Sequence, residues 1–232
     1  LIFQLYVRGD EHWVMDRLAE ATELGYKAFC ITVDSANYGR RERDKLRGFT
    51  PQARIDLSGI DYQAALDWNL IDKIKNKSKL PIMLKGIATR EDAQIAVEHQ
   101  IEVIYVSNHG GRQLDFGRGT IDVLPEIVSI ANGKAKILVD GGICRGTDIL
   151  KAICLGADAV SIGRLYGYGL AAGGKNGVIR VLDLLEEELI NAMANLGVTQ
   201  LDELNPNFLH PAPSVHNPSA FSAFHLVEIP DN

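Results

Sequence analysis

From Ser107 to Asp115 the chain reads Ser-Asn-His-Gly-Gly-Arg-Gln-Leu-Asp. His109 can take up a proton near neutral pH, and the guanidinium of Arg112 can grip a carboxylate at two points. The glycines between them let a ligand approach the backbone closely. The preceding Val103-Ile104-Tyr105-Val106 is a short apolar, β-branched run, which predicts a buried strand. In parallel α/β barrels the C-terminal ends of such strands are where active sites are built. A merely polar, glycine-rich loop would account for this segment alone.

It does not account for the other strand ends. Gln4 and Tyr6, Thr32 and Asp34, Lys85, Asp140, and Arg164 each close an apolar run. A single Ser or Thr at such a place is usually a local cap; a succession of polar ends on one rim is a site. Two adjacent ends, Asp140-Gly141-Gly142 and Gly163-Arg164, suit a phosphate. Their glycines expose N–H groups, the following helices turn positive dipole ends toward the rim, and Arg164 adds charge. Arg40, Arg41 and Arg43 form a charge run of the kind that is normally solvated. Arg41 gains a functional reading by sharing the rim with Arg112, since two guanidinium groups at one pocket imply an anionic substrate.

The positioning elements follow from periodicity. Strands are predicted to end at Tyr6, Asp34, Lys85, Ser107, Asp140 and Arg164, alternating with helices over about 10–24, 62–77, 89–99, 120–131 and 147–155. This alternation implies parallel βαβ units, six of them. Residues 35–61 show no sustained period. A long amphipathic helix is expected over 178–196, with Val181, Leu182, Leu185, Leu189 and Met193 on its apolar face. Residues 1–204 read as the catalytic domain and 205–232 as a tail lying over this or a neighbouring subunit.

With 232 residues, 46% of them hydrophobic, the chain can bury a substantial core. A net charge of −6 argues against nucleic acid as the main partner. No apolar run approaches the ~20 residues of a membrane span. Three cysteines without Cys-x-x-Cys spacing suggest a reduced, cytoplasmic protein with no metal site.

The block from Ser107 to Asp115 closely resembles the signature of the FMN-dependent α-hydroxy acid oxidases and dehydrogenases. Gln4-Leu5-Tyr6, Thr32-Val33-Asp34, Gly39-Arg40-Arg41, Leu84-Lys85-Gly86, Asp140-Gly141-Gly142 and Ile162-Gly163-Arg164 also match, in the family's order. The resemblance covers Leu1 to about Leu209 and implies a (β/α)8 TIM barrel with FMN at its C-terminal rim. By resemblance, Gln4, Thr32 and Ser107 face the flavin ring, and Lys85 lies near its N1 and O2. Asp140, Gly141, Gly142, Gly163 and Arg164 hold the ribityl phosphate. Arg41 and Arg112 bind the substrate carboxylate, Tyr6 its hydroxyl or keto oxygen, and His109 is the base, paired with Asp34.

The implied reaction is oxidation of an (S)-2-hydroxy acid such as lactate or glycolate to the 2-oxo acid. The electron acceptor is oxygen, a quinone or a cytochrome, and the implied assembly is a homo-oligomer, a tetramer. Cys144 stands where the family usually has a first arginine, which predicts a looser hold on FMN. The stretch between Arg41 and Lys85 is shorter than in many members, so substrate preference is open. Six units are two short of eight, and the expectation is that a preceding segment supplies the first two. Two rival readings remain. One is another FMN barrel of the IMP dehydrogenase or type 2 isopentenyl diphosphate isomerase kind, which has no need of His109 and Arg112 together. The other is a non-catalytic flavin-binding fragment, against which the intact base and both arginines count.

Overall fold

The computed structural model describes residues 1–37, 39, 42–49, 61–114 and 116–212. Six strands, β1 (Phe3–Leu5), β2 (Phe29–Thr32), β3 (Ile82–Ile87), β4 (Val103–Val106), β5 (Lys136–Val139) and β6 (Ala159–Val160), form one parallel sheet in sequence order. These are six consecutive βα units of a (β/α)8 barrel, and among the described residues β1 and β6 are the sheet's edges. The register sets Gln4 beside Cys30, Thr32 beside Lys85, and Lys85 beside Tyr105. That register is what brings the polar strand ends level on one rim.

Alternation along the strands sorts the side chains onto two faces. Leu5, Phe29, Ile31, Ile82, Leu84, Ile104, Val106, Ile137 and Val139 point to the helices and join one core. Phe29, Ile31, Ile82 and Ile104 are fully buried, each worth about 1.5–3 kcal/mol of transfer free energy. Ala28, Cys30, Met83 and Tyr105 occupy the opposite face. Gln4, Thr32 and Lys85 continue that second face toward the rim.

The helices are α1 (Glu11–Glu23), α2 (Glu42–Leu46), α3 (Trp68–Lys77), α4 (Arg90–Glu98), α5 (Thr120–Ala131), α6 (Gly146–Cys154) and α7 (Arg164–Leu196). Local chemistry starts three of them. The side chains of Asp10, Asp67 and Thr89 accept from the backbone N–H groups of Trp13, Leu70 and Asp92, satisfying donors that a first turn leaves orphaned. Helix α3 begins later than the periodicity suggests, and α2 lies within the stretch read as aperiodic.

The largest departure is α7. Helix was expected from residue 178, but it begins at Arg164 and breaks at Gly173 (φ −153°) and Gly174 (φ 56°). Beyond the break the chain folds back, so that a Cβ on Gly169 would sit 2.7 Å from the Gly177 carbonyl oxygen. Glycine lowers helix propensity, which hid the first half, while tertiary packing against the second half holds it. Leu185 is buried, and Leu189 and Met193 pack with Leu150 and Cys154 of α6. Leu182, assigned to the same face, is instead 51% exposed. Strand β6 is also shorter than expected, although the bond from Ser161 N to Val139 O extends its pairing by one step. Leu204 and Leu209 pack on the α6 cluster; residues 213–232 of the expected tail lie outside the described residues.

Candidate active site

The rim carries three linked groups. In the first, His109 lies between two partners: Nδ1 is 3.1 Å from Asp34 Oδ1, and Nε2 is 3.4 Å from the Tyr6 hydroxyl. The His109 and Asp34 side chains are only 9% and 12% exposed, so water screens the pair weakly. A carboxylate can only accept, so Nδ1 carries the proton. In the neutral imidazole that leaves Nε2 as the lone-pair nitrogen, next to Tyr6. His109 sits at φ 58°, a left-handed conformation costing a non-glycine residue on the order of 1 kcal/mol. The main chain is held there by Ser107 Oγ, which accepts from His109 N at 3.2 Å, and by Asn108 Oδ1, which accepts from Gly111 N at 3.1 Å.

The second group centres on Lys85, which is 8% exposed. Its Nζ donates to Ser107 Oγ at 3.0 Å, lies 3.6 Å from Asp140 Oδ2, and sits 5.2 Å from the centre of the Tyr105 ring. A buried ammonium needs such partners to offset its lost hydration. Burial first, and the Asp140 carboxylate second, push the Tyr105 phenol up. Burial likewise pushes the Cys30 thiol up to about 12, against the pull of Lys85. Both neighbours therefore stay neutral beside the cation.

The third group surrounds Thr32, fully buried at the end of β2. Gln4 Nε2 donates to its hydroxyl at 3.2 Å. Gln63, which sequence reading passed over, ties the ends of β1 and β2 together: its Nε2 donates to Thr32 O at 2.6 Å, and its Oε1 accepts from Val7 N at 2.8 Å. No pattern marks a lone glutamine before a helix. Tyr105 could have been found, since alternation puts it on the same face of β4 as Ser107.

Asp140 has a buried Oδ1 without a hydrogen-bond partner among the described residues, and its carbonyl oxygen accepts from the Thr120 hydroxyl. Gly141 and Gly142 follow at φ 101° and 76°. A Cβ on Gly142 or on Gly163 would meet nothing within 4 Å, so both backbones are open to a ligand. Arg164 is not a strand residue but the first residue of α7. It is exposed, and a terminal guanidinium nitrogen donates to Gly110 O at 3.1 Å. Arg112 is exposed too, its Nε 3.5 Å from His109 O. Arg40 and Arg41 lie outside the described residues, as does Asp115.

A family model for FMN-dependent dehydrogenases matches residues 1–211. The chain belongs to that family. Among curated relatives it is 42% identical to L-lactate oxidase of Nostoc sp. over 231 residues, covering 90% of this chain and 63% of that protein. It is 39% identical to 2-hydroxyacid oxidase 2 of Rattus norvegicus, covering 89% and 63% respectively. It is also 39% identical to the L-lactate dehydrogenase (cytochrome) of Saccharomyces cerevisiae, covering 89% of this chain and 39% of that one. Among solved structures, mandelate oxidase with benzoyl-formic acid superposes with a TM-score of 0.80 at 41% identity, over 87% of this chain and 60% of that chain. The chain thus spans about 60% of the length of several relatives it matches.

The family's cofactor is FMN, and the rim fits it. An orphaned buried carboxylate oxygen, two open glycine backbones, an arginine at a helix N-terminus and a buried lysine answer the hydroxyls, phosphate and electron-accepting ring of a flavin mononucleotide.

Proposed function

We propose that this protein oxidises an (S)-2-hydroxy acid to the 2-oxo acid with FMN as cofactor. The observation that carries the reading is the chain Tyr6–His109–Asp34, with a nearly buried carboxylate behind the imidazole and a phenol in front of it. The relatives act in the same direction by name, as oxidases and dehydrogenases of lactate and 2-hydroxy acids.

The chemistry divides among the residues as follows. Arg112, with Arg41, binds the substrate carboxylate through planar two-point contacts. Tyr6 orients the C2 oxygen toward His109 Nε2. His109 Nε2 takes one proton of the substrate, from O2 if the C2 hydrogen leaves as hydride and from C2 in the carbanion route, and Asp34 stabilises the imidazolium that results. When bound, FMN would supply the acceptor for the two electrons together with the second hydrogen the substrate loses. Gln4, Thr32 and Ser107 would hold its ring. Asp140, Gly141, Gly142, Gly163 and Arg164 would hold the ribityl phosphate. Lys85 would stand where negative charge collects on reduction, and a fixed, water-poor cation is most effective there.

The reading extends to a cytoplasmic homo-oligomer, a tetramer. Free cysteines at 30, 144 and 154 support the reducing compartment. Exposed Ile179 and Ile190 on α7 support a covered face. The final acceptor is oxygen, a quinone or a cytochrome.

The test is His109→Gln. The variant should still bind FMN, but its anaerobic flavin reduction by lactate or glycolate should fall by ~10²–10⁴-fold, the usual contribution of a general base. Reduction near the parental rate would remove His109 from the role.

A further inference from the structure

Gln113 lies within the signature block, and the reaction above has no task for it. Its carboxamide bridges two loops. Nε2 donates to Asp34 O at 3.3 Å, and Oε1 accepts from Gly39 N at 3.2 Å. Gly39 is buried against the same place: a Cβ there would lie 2.2 Å from Arg112 O and 2.7 Å from Gln113 O. Gly39 therefore lies against the Arg112–Gln113 backbone, with no room for a side chain between them.

This contact matters because neither catalytic partner belongs to a strand or an α-helix, His109 opening only the short 3-10 turn His109–Gly111. Asp34 stands beyond the end of β2. Its carboxylate Oδ1 faces His109, and its buried Oδ2 has no partner among the described residues. His109, Gly110 and Gly111 are successively left-handed, at φ 58°, 67° and 71°. Ser107 holds the start of that turn at His109 N, and Asn108 holds its end at Gly111 N. The chain that follows needs a fixed point of its own against the Asp34 loop.

We infer that Gln113 is that point, a positioning residue that clasps the Asp34 loop to the His109 loop and keeps carboxylate and imidazole in register. The inference rests on the reading of His109 as base. It acts through main-chain atoms, at Asp34 O and Gly39 N, so it sets where Asp34 stands and touches neither substrate nor flavin.

The test uses the full chain with three variants. Gln113→Ala removes both bonds; Gln113→Glu keeps the acceptor for Gly39 but loses the donor to Asp34; Gly39→Ala forces the loops apart from the opposite side. Two readouts are followed: the downfield proton resonance of the His109 Nδ1–H held by Asp34, and the rate of flavin reduction at saturating 2-hydroxy acid. Gln113→Ala and Gly39→Ala should lose the resonance and slow reduction by ~10–100-fold, the scale of a catalytic group displaced by about 1 Å. FMN affinity should change by less than about threefold, because the clasp meets none of the groups assigned to it. Gln113→Glu, nearly the same size, should fall between parent and alanine. If Gly39→Ala does not fold, the two Gln113 variants decide. Retention of the resonance, with reduction within twofold of parent in both, overturns the clasp. A parent that reduces no flavin refutes the proposed reaction instead, and the resonance still decides the role of Gln113.

Discussion

Replacing Asp34 by asparagine removes one charge while keeping shape, and the structure sets the scale of the loss. At 3.1 Å between His109 Nδ1 and Asp34 Oδ1, a charge pair at an effective dielectric of about 20 is worth about 5 kcal/mol. The low exposure of both side chains makes that dielectric appropriate. An asparagine oxygen in the same place keeps a hydrogen bond to the charged imidazolium of about 2 kcal/mol. The net loss, about 3 kcal/mol, falls on the state in which His109 holds the substrate proton, and amounts to roughly a hundredfold in rate. Gln4, Thr32, Lys85 and Ser107 keep their contacts, so FMN loading should be unchanged. The assay is anaerobic mixing of FMN-loaded parent and Asp34→Asn with excess L-lactate, following loss of the flavin's visible band. A fully loaded variant that bleaches within about fivefold of parent would refute the electrostatic reasoning, since about 3 kcal/mol cannot disappear into a fivefold change.

Arg164→Ala should weaken FMN binding by ~10–100-fold, the value of a charged hydrogen bond, measured by flavin fluorescence titration; unchanged affinity would take Arg164 away from the phosphate. The Arg145 guanidinium, 2.6 Å from Glu188, holds that carboxyl below its ordinary 4.5. A lowered carboxyl stabilises the fold fully above that value and loses its contribution as pH falls through the folded-state value. Glu188→Gln should therefore melt ~2–4 °C below parent at neutral pH, for a loss of about 1 kcal/mol, and the gap should close in acid. A gap that widens in acid would reverse the assignment. Iodoacetamide should label exposed Cys144 in the native protein and spare Cys30, which is 2% exposed with its thiol pushed up to about 12. Equal labelling by mass spectrometry would contradict that burial.

The sequence by itself determined what depends on neighbours along the chain. Thr89 marks the start of α4 because its hydroxyl caps a backbone N–H three residues on. The alternation of strands and helices identified the parallel units, since apolar periodicity is written locally. The polar ends at Gln4, Thr32, Lys85, Ser107 and Asp140 were legible because each interrupts an apolar run. Tertiary structure alone decided which of them meet. Asp34 and His109 are 75 residues apart, Tyr6 and His109 are 103, and Gln113 and Asp34 are 79. Parallel pairing erases those distances, and no local pattern records the pairing of one loop with another. The same holds for the first half of α7, whose glycines read as loop until a second segment packs against them. A carboxamide such as Gln113 carries no periodicity and no charge; only the two main-chain groups it bridges give it meaning, and those come together when the sheet forms.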